Sequence, residues 1–183
     1  MLVLLDRDGV ICEDIPETGV THVSQLKLID GSAEAIAQLR AAGASIAVVT
    51  NQSCVGKGLI SESELAEIHA TLREMLRRKG ADWDELYVCT DAPDAATHRR
   101  KPAPGMILEA LADFGAEAEQ SPLVGDALRD LQAAKSAGCP CYLVRTGKGK
   151  TLESQGLDSE VLPCPIVDDL NAATQCILRD FAW

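Results

Sequence analysis

Short apolar blocks alternate along this chain with longer stretches in which apolar residues recur every three or four positions, and that alternation sets the expected fold. Leu2-Val3-Leu4-Leu5, Ser45-Ile46-Ala47-Val48-Val49, Glu85 to Thr90, Leu123-Val124-Gly125 and Cys141 to Val144 are too short for helices and read as buried strands. Pro165-Ile166-Val167 reads as a weaker sixth. Between them lie helical patterns. Ser32 caps one with Ile36 and Leu39 before Gly43, and a Ser61/Glu64 capping box opens another with Leu65, Ile68, Leu72 and Met75 on one face. Pro104 opens a third with Ile107, Leu111 and Phe114, a short one starts at Asp130 and stops at Gly138, and Leu170, Ile177 and Phe181 mark the last. Strands alternating with helices predict an α/β fold, a three-layer, doubly wound parallel sheet. Residues 11–31 show no sustained period and read as a loop over the end of the first strand. Neither that loop nor the stretch between Thr50 and Lys101 has room for an extra unit, so one domain over 1–183 without a separate cap is expected.

Composition narrows the classes. Hydrophobic residues make up 46% and aromatics only 3%, so the core must be aliphatic, and the stacking platforms of single-strand nucleic-acid binders are missing. A formal net charge of −11 repels phosphate backbones as well, and nucleic acid is not expected as a partner. No apolar run reaches the length of a membrane span and no basic leader opens the chain, so membrane association is not expected and a cytoplasmic location is. The seven cysteines then read as free thiols, Cys139 and Cys141 as buried small residues, and the protein as a monomer.

The chemistry gathers at strand ends. In an open parallel sheet the C-terminal ends of the strands converge on one crevice. Here they deliver Asp6 and Asp8 flanking Arg7, then Thr50-Asn51-Gln52-Ser53, then Arg99-Arg100-Lys101, then Asp126 with Asp130 four residues on. Two carboxylates one residue apart call for a compensating cation or a shared proton. Magnesium suits such oxygen donors, and an aspartate can attack a phosphoryl group only where cations neutralise the approach of like charges. His69 reads as an ordinary helix residue and His22 as better placed for substrate. Arg145 and Lys148 read equally well as solvated loop charges or as phosphate contacts.

The series D-R-D-G-V, T-N-Q-S, R-K-P-x-P-G-M, G-D and V-R-T-G-K, from Leu2 to Lys150, resembles the haloacid dehalogenase-like phosphatases. Within them it is most similar to those acting on heptose bisphosphate and histidinol phosphate. The resemblance implies a Mg²⁺-dependent phosphomonoester hydrolase working through an aspartyl-phosphate, with a small phosphorylated sugar as substrate, most of all D-glycero-D-manno-heptose 1,7-bisphosphate losing its 7-phosphate. Histidinol phosphate is the alternative substrate, and a phosphate-binding regulatory protein the alternative without turnover. Asp6 resembles the nucleophile and Asp8 the general acid/base. Thr50 and Lys101 match the groups that hold the transferring phosphoryl. Asp6, Asp8 and Asp126 match the metal site, and Asp130 a supporting acid. Gly19, His22, Asn51, Gln52, Ser53, Lys57 and Arg100 match substrate contacts, Lys57 standing where an arginine is usual; Arg99 and Lys148 extend the cationic funnel. The zinc motif of such relatives, C-x-H followed by C-x-C, survives here only as Cys89, with Asp91, Thr97 and Arg99 at the other positions, so structural zinc is expected to be absent.

Overall fold

The computed structural model describes residues 1–181 and contains one six-stranded sheet in the order β3-β2-β1-β4-β5-β6, every neighbouring pair parallel. The strands are β1 (Leu2–Leu5), β2 (Ser45–Asn51), β3 (Glu85–Cys89), β4 (Leu123–Gly125), β5 (Cys141–Val144) and β6 (Ile166–Val167). The helices are α1 (Ser32–Ala41), α2 (Ser53–Gly56), α3 (Glu62–Arg77), α4 (Gly105–Phe114), α5 (Leu128–Ser136), α6 (Gly149–Gln155) and α7 (Leu170–Asp180). β1 lies centrally, pairing Leu2–Leu5 with Ser45–Val48 on one side and Leu4 and Leu5 with Leu123 and Val124 on the other. The strand order reverses between β1 and β4, and a crevice opens there beyond their C-terminal ends.

Both faces of the sheet are covered, which is why the strands read as continuous apolar runs. Val3, Leu5, Ile46, Val48 and Val124 point to a core built with α1, α3 and α7 through Leu39, Ile68, Leu72 and Ile177. Leu2, Leu4, Ala47, Val49 and Leu123 point to the other, built with α4 and α5 through Met106, Ile107, Leu131 and Ala134. Among the described residues no inserted unit stands over the crevice. Residues 11–31 cross it as a loop with one short turn at Val23–Gln25, and the chain from Asp91 to Pro104 forms a second loop with a turn at Pro93–Ala95.

Two local readings need correction. Gly31, at φ +80°, caps α1 in place of Ser32, whose buried hydroxyl instead donates to the Ile11 carbonyl at 2.8 Å and ties the loop to the helix. β2 extends beyond its apolar block because Thr50 and Asn51 pair with Val88 and Cys89, which makes their polar side chains part of a rigid strand.

Candidate active site

β1 ends at Leu5, and Asp6 follows with its Oδ1 taking the Arg7 backbone N–H at 2.8 Å. Lys101 arrives from the second loop, almost completely buried, and its Nζ reaches the Val49 carbonyl at 2.8 Å, Asp6 Oδ1 at 2.9 Å and Asp130 Oδ1 at 2.8 Å. Asn51 positions that lysine. Its side-chain amide donates to the Lys101 carbonyl at 2.9 Å and its oxygen accepts the Lys101 N–H at 3.1 Å. Lys101 is therefore locked to β2 at both its backbone and its ammonium.

Asp126 follows β4 across the crevice. Its Oδ2 accepts the Lys148 backbone N–H at 2.8 Å, while its buried Oδ1 has no hydrogen-bond partner. Asp6, Asp126 and Asp130 each offer a carboxylate oxygen, all within 4.8 Å of one another. Their electrostatics show a deficit of positive charge. Burial pushes Asp6 up to about 6 against the pull of Lys101, and burial with Asp6 and Asp130 nearby pushes Asp126 up to about 7. Burial works against the charge on Asp130 too, but Lys101 and Arg129 outweigh it and hold that acid below its ordinary range. Burial likewise opposes the charge on Lys101, and Asp130 and Asp6 more than compensate, so it stays protonated. An orphaned buried oxygen on Asp126, with Asp126 and the neighbouring Asp6 both short of compensating positive charge, suits a hard divalent cation with oxygen ligands.

The Asp8 side chain is engaged apart from the close acidic group, which leaves a metal contact at Asp8 to a carbonyl. Its carboxylate accepts a fork from Arg7, at 3.0 Å from Nε and 2.8 and 2.9 Å from Nη2, and a further bond from Gln52 Nε2 at 2.7 Å. The close acidic group holds Asp130 instead, because the Arg7 fork draws Asp8 aside. Gln52 Nε2 also donates to Thr50 Oγ1 at 2.8 Å, which leaves the Thr50 hydroxyl proton free to donate.

A cleft of about 220 Å³ opens above these groups. Asp6, Asp8, Gly19, Asn51, Gln52, Ser53, Lys57 and Arg100 line it, while Thr50 and Lys101 lie beneath, bonded to lining residues. Two expected contacts lie elsewhere. His22 caps the Val23–Gln25 turn, its Nδ1 held by Ser24, and Arg99 forks onto Glu109, so neither lines the cleft. The open choice between loop charge and phosphate contact divides: Arg145 is taken by Glu153 and Asp168, but Lys148 lines the cleft and pairs with Asp14 at 2.7 Å.

Sequence reasoning missed Asp14 and Arg129 in the lining, and Arg7 and His69 behind Asp8. Arg129 carried a usable signal. It sits in the first turn of α5, where a cation opposes the helix dipole and so needs another reason to be there. His69 is no ordinary helix residue, for it is buried with its Nε2 at 2.9 Å from Arg7 Nη1.

A doubly wound sheet with an acidic turn after its first strand, a buried lysine and an acid from β4 across the crevice defines the haloacid dehalogenase-like hydrolases, and comparison with known proteins agrees. A profile described as HAD-hydrolase-like matches residues 98–173. The D-glycero-β-D-manno-heptose-1,7-bisphosphate 7-phosphatase of Bordetella bronchiseptica is 37% identical over 180 residues, 98% of either protein. That of Neisseria meningitidis serogroup A is 40% identical over 154 residues, 84% of this chain and 82% of the relative. The crystal structure of the B. bronchiseptica heptose bisphosphate phosphatase, complexed with magnesium and phosphate, matches with a TM-score of 0.91 at 35% identity over 98% of both chains. The corresponding structure from Burkholderia thailandensis matches at 0.74 and 33% identity over 97% of both. The chain belongs to the haloacid dehalogenase-like phosphatases, and it is a phosphatase.

Proposed function

We propose that this phosphatase removes the 7-phosphate of D-glycero-β-D-manno-heptose 1,7-bisphosphate, acting as a cytoplasmic single-domain monomer. The observation that carries the substrate class is the cleft itself: in a protein of net charge −11, Lys57, Arg100, Arg129 and Lys148 all line it above the Asp6–Lys101 pair. One phosphoryl group has no use for so many cations, whereas a second phosphate on the same sugar does. The names of the relatives supply the particular sugar and anomer.

In this reading Asp6 attacks the phosphorus and becomes the aspartyl-phosphate. Lys101 holds the phosphoryl oxygens beside it, and the free Thr50 hydroxyl proton donates to another. Asp8, on the wall of the same cleft, gives its proton to the departing sugar oxygen and then takes one from the water that hydrolyses the aspartyl-phosphate. Asp6, Asp126 and the main-chain carbonyl of Asp8 would hold Mg²⁺, with Asp130 supporting through Lys101. When bound, the ion neutralises charge on the phosphoryl oxygens and on the paired acids. Structural zinc has no part in this reading. Asp91 Oδ2 accepts the Thr97 N–H at 2.7 Å and Arg99 pairs with Glu109, so the second loop is held by contacts of its own.

Purified protein is expected to hydrolyse the β-heptose bisphosphate with Mg²⁺ at a kcat/KM well above that for the α anomer, fructose bisphosphate or histidinol phosphate. Asp6→Asn should abolish turnover. Near-wild-type activity in that variant would end the assignment of the nucleophile, and a preference for histidinol phosphate would end that of the substrate. Arg100→Ala should weaken kcat/KM for bisphosphates more than for monophosphates, and an equal loss for both would remove Arg100 from recognition of the second phosphate.

A further inference from the structure

Behind Asp8 lies a connection to α3 that the chemistry described above does not use. Arg7 is completely buried and makes three contacts to the Asp8 carboxylate through two nitrogens, Nε and Nη2. Nη1 turns the other way, to His69 Nε2 at 2.9 Å, on a helix 62 residues further along the chain. A guanidinium has only donors, so Nε2 must be the acceptor, and His69 is then neutral with its proton on Nδ1. Its surroundings agree: burial, reinforced by the Arg7 charge, pulls its pKa down to about 3. A long side chain whose planar fork is fixed at one end by an imidazole and at the other by a carboxylate has little rotational freedom. Arg7 therefore acts as a rigid strut from α3 to Asp8.

From the Nη1–Nε2 contact and the fork onto Asp8, we infer that His69 is a positioning residue for this phosphatase: its ring nitrogen sets the plane of Arg7, and Arg7 in turn holds the Asp8 carboxylate at the wall of the cleft. This rests on the reading of Asp8 as the general acid/base. The general reason is geometric. Proton transfer in the transition state needs donor and acceptor within hydrogen-bond reach, and a displacement of about 1 Å in a positioned group can cost about 10²-fold in rate. Gln52 contributes a single bond to Asp8, at 2.7 Å, which fixes one oxygen but not the plane of the carboxylate. The plane is set by Arg7, and the plane of Arg7 by His69.

The test compares His69→Phe, which keeps a ring but no acceptor, with His69→Gln, which keeps an acceptor oxygen, each alone and combined with Asp8→Asn. Rates are read on an aryl phosphate with saturating Mg²⁺, below the melting transition of each variant. Asp8→Asn alone tests the underlying reading. If it keeps near-wild-type kcat, Asp8 is not the acid/base and the failure lies there. Given a large loss in Asp8→Asn, His69→Phe should lower kcat about tenfold or more with KM changed less than twofold, and His69→Gln should recover most of that loss. Adding His69→Phe to Asp8→Asn should cost no further rate, because the strut then has nothing to position. Wild-type kcat in folded His69→Phe, equal damage from Phe and Gln, or additive losses in the double variant would each overturn the inference. Should His69→Phe not fold, the Gln pair decides alone: folded His69→Gln with kcat far below wild type, or with its loss undiminished in Asp8→Asn, would overturn it.

Discussion

Gly147 shows how tightly single residues constrain this site. It adopts φ +55°, and a Cβ there would overlap Asp126 Oδ2 and come within 2.8 Å of Gly9 Cα. Gly147→Ala is therefore expected to cost roughly 1–2 kcal/mol for the left-handed backbone alone and to displace the carboxylate proposed to hold the metal as well. Thermal unfolding should show the loss, and the Mg²⁺ concentration for half-maximal activity should rise several-fold; an unchanged Mg²⁺ requirement would mean that Asp126 does not bind the ion. His69 makes a second prediction at this scale. Folded His69 stays neutral down to about 3, whereas in the unfolded chain it takes up a proton near 6.5. Its contribution to stability is thus complete above pH 6.5 and declines as pH falls towards 3, by about 1.4 kcal/mol per unit at the steepest. Urea unfolding of wild type and His69→Gln between pH 7 and about 4 should diverge in that sense, and parallel curves would mean that the imidazole is not held neutral.

The elements explain why such residues could be placed only in part from the sequence. α3 carries a full capping box, with Ser61 Oγ accepting the Glu64 N–H at 3.2 Å and Glu64 Oε2 accepting the Ser61 N–H at 2.8 Å. Ser61→Ala should lower stability by about 1 kcal/mol, seen as a lower urea midpoint at an unchanged slope. Both the box and the apolar face were legible. The buried set, however, is Leu65, Ile68, His69, Leu72 and Leu76, and Met75 is only partly covered. Steps of three and of four from Leu72 are equally helical, and the sheet beneath chooses between them. The same rotation carries His69 inward to Arg7, so a residue that periodicity leaves beside the apolar stripe becomes part of the site.

Charge is the property of the whole molecule that bears most on function. The overall charge of −11 opposes the approach of a sugar bisphosphate, and the cleft sets Lys57, Arg100, Arg129 and Lys148 against its own Asp6, Asp8, Asp14 and Glu17. Raising ionic strength from about 0.05 to about 0.5 M should thus lower kcat/KM more for a bisphosphate than for a monophosphate, since screening removes more attraction from the more highly charged ligand. Equal salt dependence would count against a second phosphate in the cleft. The alternation of apolar blocks with helical periods was enough to determine the parallel sheet, and Asp6-x-Asp8, Thr50 and Asp126 marked its crevice, because these groups lie at or just beyond strand ends that must converge, whereas Lys101 reaches it from the loop after β3. What the sequence could not decide is how side chains share partners once they meet. Asp8 turns to Arg7, Asp130 takes its place in the close acidic group, Arg99 leaves for Glu109, and Arg129 enters from α5. Some of these pairs are close in sequence, such as Arg7 with Asp8, but which partner each charge takes depends on how the packed backbone orients it and on what other elements bring within about 3 Å. Local pattern determines elements and their ends; only the tertiary structure assigns the pairs.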